Sequence, residues 1–224
     1  MPWTRSVAVT TGEVAVMLER PVQDWPVSLV SHDERRPGLV LRALRQADRS
    51  EWDRVRNANL HYVGQWEPTA PDGVGRRVTF RQYVKSLDRE ARAGRIVPFL
   101  IEADGRIAGQ MHLFGIVHGS LLSGAAGYWV AEEYAGHGVA TRALAMLCDY
   151  AFGPLALHRV EVNVRPENTA SLSVVQHLRF RDEGVRERYL HINGGWRDHR
   201  TFALTSDDVQ GGRVLDRWAR ARQP

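Results

Sequence analysis

The alternation of apolar and polar positions is clearest over residues 125–180. Gly127, Tyr128, Trp129 and Val130 read as a buried strand, Gly136, His137 and Gly138 sit in a turn over 135–140, and an apolar helix follows from Thr141 to Phe152. Residues 158–164 (HRVEVNV) form a β-branched strand, and 166–171 then start a second helix that ends near Phe180. Upstream, residues 39–44 predict a strand and 48–59 a helix, with Trp52, Val55 and Leu60 at helical spacing. The stretch 61–76 contains Gly64, Pro68, Pro71, Gly73 and Gly75 and reads as an irregular loop, a place where function concentrates. Residues 80–93 predict a helix stopped by Gly94.

Two hairpins are marked by their turns. Asp104-Gly105 lies between apolar runs at 97–102 and 107–114, and Asn193-Gly194 lies between runs at 185–192 and 196–204. A strand over 121–130 joins the first hairpin to the glycine turn. Ser206, Asp207 and Asp208 are cap candidates for a short terminal helix, which Gly211 and Gly212 weaken. The expected architecture is α+β, or mixed α/β: one domain with a mostly antiparallel mixed sheet of about six or seven strands flanked by four helices.

Composition narrows the class. The 224 residues, 43% hydrophobic and 25% charged, suit one sizeable core, and no run of roughly 18 apolar residues is present to cross a bilayer. The first 30 residues carry Glu13, Glu19, Arg20 and Asp24 where a secretory signal would be apolar. A single cysteine, Cys148, excludes internal disulfides, fits a reducing cytoplasm and is expected to pack inside its helix. The net charge of +4 is scattered, a weak argument for contact with the ribosome, and Arg213, Arg217, Arg220 and Arg222 read as a solvated helix face.

The glycine turn carries the chemistry. The first N–H groups of a helix lack internal partners, the helix dipole adds partial positive charge there, and glycine lets the main chain approach a phosphate closely. A P-loop requires Lys and then Ser or Thr after its last glycine, where this chain has Val139 and Ala140. A dinucleotide fingerprint requires a third small residue at a spacing this turn lacks. The nine histidines include no His-Glu-x-x-His pair, so no metal site is expected, and no Gly-x-Ser-x-Gly turn is present for a serine hydrolase.

The run as a whole resembles the GNAT superfamily of acyl-CoA N-acyltransferases. The family's pyrophosphate loop reads Arg/Gln-x-x-Gly-x-Gly/Ala, and here Ala135, Gly138 and Ala140 stand at its three defined positions. Leu178 to Phe180 is similar to the family's Leu-Gly-Phe ending, with Arg179 in place of glycine. GLVLRAL with Asp48, Trp66-Glu67-Pro68, GYWVAEEYAGHGVAT and ENTAS at 167–171 resemble the RimJ/RimL-type ribosomal-protein alanine N-acetyltransferases. The resemblance covers about residues 37–208, leaving 1–36 as an N-terminal extension and 209–224 as a tail or short helix.

The resemblance implies acetyl-CoA as cosubstrate. Pantetheine would pair along the strand at Trp129, Val130 and Ala131, and diphosphate would sit on Ala135, Gly136, His137, Gly138, Val139, Ala140 and Thr141. Asn168 either caps its helix or also contacts the cosubstrate. Ser171 is the expected stabiliser of the leaving thiolate, because Val175 stands where many members place a tyrosine. Glu67 is either the general base or the anchor of the substrate's amino group, with Glu133 as the other nearby carboxylate. Tyr62 and Trp66 would wall the acceptor pocket, with Tyr189 and His191 opposite. The implied activity is acetyl transfer by direct attack in a ternary complex, most directly to the α-amino group of a ribosomal or other protein N-terminus. A small amine acceptor (polyamine, amino acid or antibiotic) and a non-enzymatic acyl-CoA-binding or ribosome-associated module are the alternatives. The expected protein is cytoplasmic, free of membrane, and a monomer or homodimer.

Overall fold

The computed structural model describes residues 25–31, 38–73 and 78–220. Its strands are β1 (Leu29–Ser31), β2 (Leu39–Ala43), β3 (Val97–Ala103), β4 (Arg106–Val117), β5 (Ser123–Val130), β6 (Arg159–Val164), β7 (Arg181–Ile192) and β8 (Gly195–Thr205). They form one sheet in the order β1-β2-β3-β4-β5-β6-β8-β7, antiparallel throughout except for β5 with β6. Eight strands exceed the expected six or seven because β1 comes from the segment treated as an extension, and pairs Leu29 with Leu41. That segment also plugs the core. Trp25 is buried with its ring centroid 5.9 Å from that of Phe99. Both hairpin turns are found where Asp104-Gly105 and Asn193-Gly194 place them, all four residues at positive φ.

The helices are α1 (Arg49–Ala58), α2 (Leu60–Val63), α3 (Phe80–Arg92), α4 (Val139–Phe152), α5 (Thr169–His177), α6 (Ser206–Val209) and α7 (Val214–Arg220). The four expected helices are α1, α3, α4 and α5. The loop expected over 61–76 is helical in its first part, through α2 and the 3-10 turn Gly64–Trp66. Leu60 is 50% exposed, because α1 ends at Asn59, whose backbone (φ −106°, ψ 4°) leaves helical geometry, and the helical spacing from Trp52 and Val55 does not carry across into α2. The strand expected from 121 begins at Ser123, with Leu121 exposed. Arg222 of the expected basic face lies outside the described residues.

Two packed layers follow from strand alternation. Met111, Leu113 and Tyr128 point to the layer of α4 and α5, whereas Leu100, Ala131 and Trp129 join Trp52, Phe80 and Tyr83 in the layer of α1 and α3. Helix α4 is buried around most of its circumference between the sheet and α7. Cys148 is fully buried there, as expected, and desolvation pushes its thiol up, away from reactivity. Asp149 of α4 accepts hydrogen bonds from the Val214 and Leu215 N–H groups, satisfying the free end of α7 and fixing its buried Val214 and Trp218 on the core.

The feature that makes a site is a split in the sheet. β5 and β6 pair only through Ser123–Ala125 with Arg159–Glu161, and beyond those residues the two parallel strands diverge. Between them opens a cavity of about 1190 Å³ that is lined from both layers.

Candidate active site

On the α4 side the cavity is lined by Ala135, Gly136, Gly138, Val139, Ala140 and Thr141. Gly138 caps α4 from the left-handed region at φ 76°, and Gly136 stands at φ 75°, so both positions use the freedom of glycine. The first intrahelical bond runs from the Arg142 N–H to the Gly138 carbonyl at 3.0 Å, so the N–H groups of Val139, Ala140 and Thr141 precede the ladder. A Cβ built on Gly136 meets nothing within 4 Å, leaving the turn open on that side. These observations fit a diphosphate. His137 is exposed in the same turn and does not line the cavity.

Along β5, Trp129 and Val130 line the gap and Ala131 does not. The Ala131 N–H donates to the Ala108 carbonyl at 2.8 Å and Ala131 is fully buried, so it has no donor left for a ligand. This corrects the expectation for Ala131, and the antiparallel register with Gln110 turns the Trp129 N–H toward β4 as well, so Trp129 meets the gap without its N–H. Alternation along the strand turns the Tyr128 and Val130 N–H groups the other way, into the gap.

Asn168 and Ser171 line the cavity from α5. The Asn168 side-chain oxygen accepts from the Ser171 N–H at 3.0 Å, which is the capping role its position suggested, and its amide nitrogen remains available to the cavity. Tyr128 reaches into this layer beside Ser171. Its hydroxyl is buried and closes no hydrogen bond of good geometry, and desolvation pushes its pKa up to about 12, keeping it a donor at neutral pH. At the far end of α5, the N–H groups of Arg179 and Phe180 bond to the Gln176 and Val175 carbonyls at 2.9 and 3.0 Å, with Arg179 at φ 58°. The arginine thus holds the left-handed conformation that glycine takes freely.

The other side of the cavity is built from side chains. Tyr62, Trp66 and Glu67 all line it, and Glu67 forms an ion pair with Arg56, whose guanidinium lies 5.2 Å over the Trp129 ring. Arg165 lies 5.2 Å over the Trp66 ring. Pro68 forms an isolated bridge with Ile192, and the Thr69 N–H donates to the His191 carbonyl at 2.8 Å, which ties this segment to β7. Tyr189 lines the opposite wall, edge-on to His199 at 5.8 Å and bonded through its hydroxyl to Arg186. His191 is held by Thr69 outside the lining, and Glu133 is exposed on the turn Glu132–Tyr134, also outside it.

Sequence reasoning missed Arg56, Gln110 and His112, all in the lining. Gln110 and His112 alternate on the strand of an apolar run, a signal that was available: two polar residues, two apart, facing one side of a central strand. His112 is half-buried with its Nε2 sealed from solvent, and desolvation pushes its imidazole down to about 4, so it is neutral at physiological pH. Among the described residues no cluster of three His, Cys, Asp or Glu side chains is placed to hold a metal.

The sequence profile of the acetyltransferase (GNAT) domain family matches residues 38–181. Among curated relatives, the probable N-acetyltransferase YjcK of Bacillus subtilis is 30% identical over 176 residues, 76% of this chain and 95% of that protein. The ribosomal protein uS5-alanine N-acetyltransferase of Escherichia coli is 28% identical, over 78% of this chain and 91% of its own length. Among solved structures, Mycobacterium smegmatis RimJ in complex with CoA-disulfide superposes with a TM-score of 0.79 at 38% identity, covering 88% of this chain and 95% of that one. With the split sheet, the open glycine turn at the head of α4 and these likenesses together, the chain belongs to the GNAT acetyltransferase family and is an N-acetyltransferase that uses acetyl-CoA as cosubstrate.

Proposed function

We propose that the acceptor is the α-amino group of a peptide or protein N-terminus, with the acetyl group transferred directly from acetyl-CoA inside the cavity. The observation that carries this reading is the passage through the sheet. One continuous space has the α4 turn and Ser171 at one end and Tyr62, Trp66 and Glu67 at the other, so donor and acceptor meet between β5 and β6. The relative from Escherichia coli, named for an alanine of ribosomal protein uS5, supports the choice of acceptor.

Acetyl-CoA supplies an acetyl thioester. The residues of this chain hold and polarise it: the N–H groups at the head of α4 bind diphosphate, and the backbone N–H groups of Tyr128 and Val130 face the gap that pantetheine and acyl oxygen would enter. The amine attacks the carbonyl carbon, a C–N bond forms, the C–S bond breaks, the amine loses a proton and the departing sulfur gains one. Ser171 donates a hydrogen bond to that sulfur as its charge develops. An α-amino group, with a pKa of about 8, is partly neutral near pH 7 to 8, so a strong base is unnecessary. Glu67, already paired with Arg56, anchors the ammonium form and orients it.

Initial rates with acetyl-CoA test the reading, using a short peptide beginning with Ala and, separately, spermidine. Acetylation of the peptide at its N-terminus, found by mass spectrometry, is the expected outcome. Acetylation of spermidine alone refutes it.

A further inference from the structure

Five buried polar atoms in the cavity lining have no partner of good geometry among the described residues: the Tyr128 hydroxyl, His112 Nε2 and three N–H donors, Trp52 Nε1, Arg56 Nη1 and Gln110 Nε2. The three N–H donors belong to side chains linked in one chain of contacts through Tyr83 and Trp129. Trp52 packs against Tyr83 with ring centroids 5.8 Å apart, and the Tyr83 hydroxyl and the Trp129 indole N–H both donate to Gln110 Oε1, at 3.4 and 3.2 Å. Arg56 then covers the Trp129 ring. Two donors converging on Oε1 fix the orientation of the Gln110 amide, so its NH2 group is directed away from both of them. Gln110 is only 5% exposed, and an unmade hydrogen bond on a buried amide costs about 1–3 kcal/mol.

This group of side chains has a chemical polarity. Trp52, Arg56 and Gln110 offer only donors, His112 Nε2 next to them is donor or acceptor according to its tautomer, and beside them stands the carboxylate of Glu67, held by Arg56. A polyamine brings ammonium groups and methylenes, and no oxygen to receive three N–H donors. An α-amino carbonyl compound brings an ammonium for Glu67 and, one carbon away, a carbonyl oxygen.

We propose that Trp52, Arg56 and Gln110 recognise the first carbonyl of the acceptor, which makes this site selective for α-amino carbonyl compounds over polyamines. The inference rests on the reading above that an amine is acetylated in this cavity, and it assigns the specificity to named donors. Gln110 is the specificity-determining residue, because its orientation is fixed by two neighbours before any substrate arrives.

The test compares the Ala-initiated peptide with the same peptide carrying a trans-alkene in place of its first peptide bond, which keeps the amine and the shape and removes the carbonyl. Wild-type protein should favour the intact peptide by about tenfold or more in kcat/KM. Gln110→Glu keeps an oxygen for Tyr83 and Trp129 and removes the donor. It should lower kcat/KM for the intact peptide by about tenfold, leave the alkene peptide within about twofold of wild type, and retain acetyl-CoA affinity. Equal wild-type rates on the two peptides overturn the inference and leave N-terminal acetylation standing. Spermidine acetylated while neither peptide is turned over sinks both. An equal loss on the two peptides in Gln110→Glu, with acetyl-CoA still bound, assigns Gln110 a purely structural part and overturns its role. Should the variant fail to bind acetyl-CoA, the wild-type comparison of the two peptides decides alone.

Discussion

The two walls of the cavity are made of different material. Toward α4 and α5 the ligand-facing groups are backbone N–H groups on small residues, with Gly136 and Gly138 at positive φ, and short hydroxyl side chains such as Ser171 and Thr141 beside the Tyr128 hydroxyl. Toward α1 and α3 they are side chains from four separate segments: Arg56, Glu67, Gln110 with His112, and Tyr189. A backbone-built wall presents the same groups whatever side chains surround it, which suits a cosubstrate common to a family. A wall of side chains can be changed one residue at a time, which suits the half that must choose an acceptor.

If the α4 wall works through its main chain, a side chain placed there should do the most damage. Gly138→Asp adds a Cβ at φ 76° and a negative charge where diphosphate would lie, and should weaken acetyl-CoA binding by about a thousandfold, or about 4 kcal/mol. Calorimetry on protein with a wild-type circular dichroism spectrum measures it, and wild-type affinity would remove the diphosphate site from this turn.

The opposite wall should titrate, as a wall of side chains can. The His112 imidazole has a folded pKa near 4 against an ordinary 6.5, so below pH 6.5 the unfolded chain takes up a proton that the folded chain refuses. Stability contributed by neutral His112 is therefore complete above pH 6.5 and is lost as pH falls toward 4, by on the order of 3 kcal/mol. Urea denaturation across that range should show a slope that His112→Gln flattens, and an unchanged slope would place the acid sensitivity elsewhere.

Ser171 is a side-chain group on the backbone-built wall. Ser171→Ala should lower kcat by about thirtyfold, or about 2 kcal/mol, with acetyl-CoA affinity unchanged, since the hydroxyl is needed chiefly as charge develops on sulfur. Steady-state rates set against equilibrium binding separate the two effects. A fall in affinity without a fall in kcat would make Ser171 part of the cosubstrate cradle. On the side-chain wall, Glu67→Gln should cost about tenfold in kcat/KM for peptide while sparing acetyl-CoA binding. A wild-type rate at pH 6 to 9 would exclude Glu67 as anchor and as base.

The smallest expected effect is a gain. Arg179 at φ 58° occupies the left-handed position closing α5, and Arg179→Gly should stabilise the fold by about 0.5–1 kcal/mol, read as a rise in the urea midpoint. No gain would mean that the arginine side chain offsets the strain through its own contacts.

Much of this molecule is determined locally and could be read along the chain. The Asp104-Gly105 and Asn193-Gly194 turns, the helix opened by Gly138 and the helix capped by Asn168 all depend on the φ preferences and capping groups of a few consecutive residues. The cosubstrate wall is built from those same local features, so most of it was legible. Tertiary structure alone decided the rest. Ala131 looked like one more donor on its strand until pairing with Ala108 consumed its N–H. Trp25 and β1 looked like an extension until a free sheet edge and the Phe99 ring received them. The acceptor wall joins Arg56 to Glu67, and Gln110 to Tyr83 and Trp129, through contacts between elements that no spacing rule connects. Its positions follow from how far β5 and β6 diverge and where α1 and α3 pack, and those are properties of the whole sheet.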